Sequence, residues 1–242
     1  MNKHALSVVL TVLAVLSSSV ATLAQSSTYL ILQKAESSMG FYTPAGQHLA
    51  SVPVGKHPHE FVISTDGRYA YTTDNGSMLL ETPGQGGNTI SIVDLVSRKN
   101  AGTIQLGEFR RPHGIDLDRK TGRLAISCEL PDRLLIVDPV TRKVVRDYDT
   151  QGKTSHMVTL GAGAEWAFVS NSTSNSVAAI HPQSGKVKLI PTTRRPEGSV
   201  LSKDGSNLYR HAGRHLHHRH GQANGKGANR NGQGPQPNRP HR

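Results

Sequence analysis

Apolar residues in this chain come in short runs, and turn-forming residues bound each run. Thr89-Ile90-Ser91-Ile92-Val93-Asp94 and Arg133-Leu134-Leu135-Ile136-Val137-Asp138 are representative. Such runs are too short for helices of ordinary length, and β-branched residues dominate them, so they predict strands. The pattern places strands at 29–33, 39–42, 49–54, 60–64, 69–73, 88–94, 102–106, 124–127, 132–138, 144–148, 166–170, 175–181, 186–190, 198–202 and 207–209. Asp66-Gly67 and Asp204-Gly205 predict two-residue hairpin turns, because Gly supplies positive φ at little steric cost. Asp94 and Asp138 each end a strand and are placed to fix the turn that follows.

The strands recur with a period of roughly 43 residues. With His59, His113, His156 and Glu197 as anchors, the intervals are 54, 43 and 41 residues, and the long first one contains the Gly/Pro-rich insertion Glu81–Gly87. After each anchor the order is the same: a short strand, a tight turn, a second strand, then in complete repeats a third and a fourth. Four short antiparallel strands per 40-odd residues make one propeller blade. The expected divisions are a partial blade at 28–56, blades at 57–108, 109–153 and 154–193, and a partial blade at 194–209.

These residues reach a known family. His57-Pro58-His59-Glu60, then Asp66-Gly67-Arg68-Tyr69-Ala70-Tyr71-Thr72-Thr73, then Asn88 to Asp94, resembles the YVTN-type β-propeller repeat. That repeat is shared by YncE-like proteins and by cytochrome d1-like and lactonase-like propellers. The resemblance covers about residues 28–209 and implies an all-β fold of about four blades. Two arrangements follow: an open arc of a longer propeller of about seven blades, which we expect, or a small closed four-bladed ring.

Residues 1–24 read as a signal peptide. Lys3 and His4 precede the apolar stretch Ala5–Leu16, and Thr22-Leu23-Ala24 offers a cleavage site before Gln25. The stretch is too short to span a bilayer, so a periplasmic or secreted location is expected. Cys128 is the single cysteine, so no intramolecular disulfide can form, and its apolar surroundings read as packing.

The net charge of +11 would suit a nucleic-acid binder, but residues 210–242 hold six Arg, one Lys and no acid, leaving only +4 elsewhere. Nucleic acid is therefore not the expected partner of the blades. The repeat pattern breaks after Tyr209, and 210–242 reads as a disordered His/Gly/Asn-rich tail. It has three readings: a frameshift product, since His217–Gln222 shifted by one base can encode a third-strand pattern; a basic nucleic-acid-binding tail; or a His-rich metal-binding tail.

His59, His113, His156 and Glu197 are the candidate site. At one equivalent position of the innermost strands, they would ring one mouth of the central channel, with Glu60 and Asp116 nearby. Three imidazoles and a carboxylate suit a divalent metal such as zinc, or an anion when the histidines are protonated. Arg110-Arg111 and Arg194-Arg195 precede two anchors and add positive potential. No nucleophile elbow, phosphate loop, haem-attachment motif or paired-carboxylate signature occurs. The expected function is a non-catalytic scaffold binding a small molecule or a protein at this mouth. The alternatives are a lactonase-like hydrolase or redox-associated propeller, and an inactive product of a frameshifted gene.

Overall fold

The computed structural model describes residues 28–78, 84–211 and 218–219. The predicted signal peptide and nearly all of the tail lie outside them. Five antiparallel sheets follow one another along the chain. The first holds β1 (Tyr29–Gln33), β2 (Ser38–Tyr42) and β3 (His48–Pro53). The second holds β4 (Pro58–Ile63), β5 (Tyr69–Asp74), β6 (Thr89–Asp94) and β7 (Lys99–Gln105). The third holds β8 (Arg110–Leu117), β9 (Leu124–Leu130), β10 (Asp132–Asp138) and β11 (Lys143–Asp149). The fourth holds β12 (Ser155–Leu160), β13 (Ala167–Asn171), β14 (Ser176–His181) and β15 (Lys186–Pro191). The fifth holds β16 (Gly198–Leu201), β17 (Asn207–His211) and the short β18 (His218–Arg219), which pairs with Asn207 and Leu208. Each sheet is a simple meander, the arrangement of a propeller blade.

The core lies between blades. Four apolar clusters bridge the four successive interfaces. Met39, Phe41 and Val52 meet Ala70 and Val93; Ile90, Ile92 and Ile104 meet Ile115, Leu124 and Ile126. Ala125 and Leu134 meet Val158, Val169 and Ile180; Phe168, Val177 and Ala179 meet Leu208. The inner strands β4, β8, β12 and β16 pack in that order. The blades therefore form an arc. Cys128 is fully buried, as its apolar run predicts, and burial pushes its thiol pKa well up.

Turn chemistry follows the sequence with one correction. Asp66-Gly67 and Asp204-Gly205 sit in four-residue loops, not two-residue ones. Ser64 N–H donates to Tyr69 O, Gly67 N–H donates to Ser64 O, and Ser202, Gly205 and Asn207 repeat the arrangement. The Asp66 carboxylate accepts from the Ser64 hydroxyl at 2.6 Å and from Arg68 N at 3.0 Å, which stabilises the longer loop. Asp94 accepts from Val96 N and Ser97 N, and Asp138 accepts from Val140 N and Thr141 N, so both aspartates hold their turns. Among the described residues no helix is long and apolar enough to cross a membrane.

Candidate functional site

Three of the four inner strands share a local irregularity. Pairing to the neighbouring strand shifts register between Pro58 and Phe61, between Pro112 and Ile115, and between Ser155 and Val158. Each shift encloses one anchor histidine. Such a bulge re-aims a side chain, here toward the channel. Two residues before each histidine, His57, Arg111 and Thr154 adopt φ of 47°, 53° and 58°, an uncommon conformation for side-chain-bearing residues.

A hydroxyl relay ties the bulges together. Glu60 N–H donates to Thr73 Oγ1 at 3.1 Å, and Thr73 Oγ1 donates to the His113 carbonyl of the next blade at 2.8 Å. One blade on, Gly114 N–H donates to Ser127 Oγ at 2.9 Å, and Ser127 Oγ donates to the His156 carbonyl. Ser170 holds the same place in the fourth blade, but its buried Oγ has no hydrogen-bond partner. The Glu197 carbonyl it would serve instead accepts from His156 Nδ1 at 3.0 Å. A carbonyl only accepts, so Nδ1 carries the His156 proton.

The relay brings the three histidines closer than neighbouring blades suggest from sequence. Ring centroids lie 3.6 Å apart for His59–His113 and 3.8 Å for His113–His156, with tilts of 43° and 38°. Gly114 permits this approach: a Cβ there would stand 2.6 Å from Val158 N and 2.7 Å from Met157 Cα. The outcome is a stack of imidazoles with His113 in the middle, 4% exposed. Burial, and then the two flanking rings, lower the His113 pKa far below the usual range, and burial also lowers that of His156.

The stack differs in geometry from a metal centre. Zinc ligands converge on one point at about 2.0–2.3 Å, whereas these rings lie tilted over one another. Glu197 contributes its carbonyl to His156, while its carboxylate stands 3.8 Å from Arg195. Among the described residues no group of three or more His, Cys, Asp or Glu is disposed to hold a metal ion. Glu60 stays at the site, 3.7 Å from His59. Asp116 does not, since its carboxylate accepts from Leu160 N at 2.8 Å and from Leu117 N.

The structure adds residues that the repeat does not mark. A cavity of about 350 Å³ lies over the stack, lined by His59, His113, His156 and Glu197 together with Lys34, Asn75, Ser77, Met78, Arg111, Glu129 and Arg195. Glu129 Oε2 pairs with Arg111 Nε at 3.0 Å, and Oε1 stands 3.9 Å from His113 Nε2. Burial, outweighing Arg111, raises the Glu129 pKa to about 7. The equivalent positions in neighbouring blades are Asn75 and Ser172, so no periodic signal marks Glu129. Doubled arginines before two anchors were the sequence signal for Arg111 and Arg195.

No family model and no curated protein matches the chain. Solved structures do. The chain is similar to Kuenenia stuttgartiensis hydrazine synthase at 20% identity, over 76% of this chain and 52% of that one, with a TM-score of 0.65. It is similar to virginiamycin B lyase from Staphylococcus aureus at 16% identity, over 84% and 69%, with a TM-score of 0.62. A functionally unknown protein from Desulfotomaculum acetoxidans matches at 18% identity over 76% and 59%, with a TM-score of 0.60.

The fold is a β-propeller arc. The chain spans about half the length of the hydrazine synthase chain it matches. At these identities the likeness carries the propeller and leaves the chemistry to the site itself.

Proposed function

We propose that this propeller is an exported YVTN-type scaffold that binds a small polar ligand in the bowl at one channel mouth. The observation that carries the reading is the cavity over the histidine stack. Its volume suits a small molecule, and its wall combines imidazoles, amides, cations and carboxylates from successive blades. The aligned repeats support the YVTN assignment, and the N-terminal Lys3-to-Ala24 pattern supports export. Edman sequencing of the exported protein is expected to begin at Gln25.

The binding test is a thermal-unfolding panel on the full mature chain, using carboxylates, amino acids, neutral sugars and inorganic phosphate. A ligand at ~100 times its Kd is expected to raise Tm by about 5–10 °C. Asn75→Ala and Arg195→Ala should reduce that rise. If no panel member shifts Tm, the reading falls.

One observation favours a hydrolytic reading: Glu129, with its pKa near 7, stands beside His113 and suits acid–base work at neutral pH. On that reading γ-butyrolactone is opened by the wild type, and at least 100-fold more slowly by Glu129→Gln.

A further inference from the structure

Two of the most deeply buried polar atoms of the bowl, Glu129 Oε1 and His113 Nδ1, have no hydrogen-bond partner. Their side chains are 4% and 5% exposed, and both residues line the cavity. Buried polar atoms in folded proteins are nearly always paired, so an unpaired acceptor in a side chain that lines a cavity points to an occupant. Glu129 is held by its other oxygen, since Oε2 is taken by Arg111. Oε1 is therefore the carboxylate oxygen left without a partner.

The charge around the bowl indicates the ligand's sign. Lys34, Arg111 and Arg195 face the cavity, against Glu129 and Glu197. The titratable groups bearing on Glu129 are Arg111 and His113 from β8, Lys34 from the turn after β1, Asp132 at the start of β10, and Cys128 beside it in β9. With Glu129 ionised the bowl is close to balanced, and with Glu129 protonated it is cationic.

We propose that the bowl takes a small organic carboxylate, held by Lys34, Arg111 and Arg195 and capped by a hydrogen bond donated by protonated Glu129. This rests on reading the bowl as a ligand site and names the ligand's class. The incoming carboxylate places a like charge beside Glu129, which favours its protonated form. Arg111 is then released from balancing Glu129 and meets the ligand. Burial already holds the Glu129 carboxyl near the neutral range. Binding above that range must therefore take up one proton, and affinity should fall up to about tenfold per pH unit.

The test is isothermal titration of the full mature chain with succinate at pH 6 and pH 8.5, each in two buffers of different ionisation enthalpy. Expected are binding at pH 6, at least tenfold weaker binding at pH 8.5, and uptake of about one proton per succinate at pH 8.5. Glu129→Gln keeps the donor without the titration and should bind succinate equally at both pH values. Lys34→Met, in a turn away from the inner strands, should weaken succinate at least fivefold. Succinate affinity independent of pH in the wild type, or an unchanged pH dependence in Glu129→Gln, overturns the proposal. So does inorganic phosphate binding as tightly as succinate. If Glu129→Gln fails to fold, the wild-type proton count and Lys34→Met decide. Neutral sugars raising Tm while succinate does nothing would sink the carboxylate assignment and leave the ligand-binding reading standing. No response to any panel member would sink both.

Discussion

His113 and Glu129 face one another across 3.9 Å and resist charging for the same reason, burial, with opposite consequences for stability. The Glu129 pKa is raised to about 7, so between about pH 4.5 and 7 the folded chain keeps a proton that the unfolded chain has released. Its contribution is full below about 4.5 and is lost as pH rises through about 7. The lost stability is on the order of 3 kcal/mol. His113 is lowered, so as pH falls below about 6.5 the unfolded chain gains a proton that the folded chain refuses, and stability is lost toward acid. Urea unfolding from pH 4 to 8.5 should show Glu129→Gln reducing the decline between about pH 4.5 and 7 and His113→Gln reducing the loss toward acid. The three histidines were legible because they recur at one repeat position. Glu129 and Lys34 were not. One replaces an amide or hydroxyl found in neighbouring blades, and the other reaches the bowl from a turn between strands.

At the level of the strand, the hydroxyl relay separates residues that sequence treats alike. Ser127 and Ser170 are both buried serines near the middle of a blade's second strand. Ser127 serves Gly114 N and the His156 carbonyl, so Ser127→Ala leaves two buried backbone groups unpaired and should cost about 2–3 kcal/mol. Ser170 Oγ serves nothing, so Ser170→Ala should be near neutral or slightly stabilising. Chemical denaturation of the two variants gives the comparison, and equal losses would refute the relay. Gly114→Ala should cost at least about 2 kcal/mol, because the atoms its Cβ meets are backbone atoms of β12. Strand positions were legible from short alternating runs and turn residues. The bulges were not, because a register shift belongs to the pairing of two strands, and neither strand's pattern records it. The close approach of the rings depends on those bulges and on Gly114, and so was equally hidden.

Across the whole arc, each blade is stabilised mainly by its neighbours, so position in the arc should set local stability. The third blade packs on both sides, against the second through one cluster and against the fourth through another. Its β9 is buried along nearly its full length. The first blade, among the described residues, lacks an innermost strand. Its β1 alternates between exposed and half-buried positions, with Tyr29 57% and Ile31 48% exposed. The fifth blade's β16 is similarly open, with Val200 62% exposed. Opening free energies run from near zero at loosely packed edges up to the global value in the core. Native-state hydrogen exchange of the full chain should therefore rank the amides of β9, β10, β13 and β14 as slowest, with β1, β16 and β17 faster by at least 100-fold. The ranking also discriminates between architectures. A ring closed by contact between the first and fifth blades would bury both flanks and level the protection. An arc keeps the gradient, and the histidine bowl, built on β4, β8 and β12, then lies between its open ends.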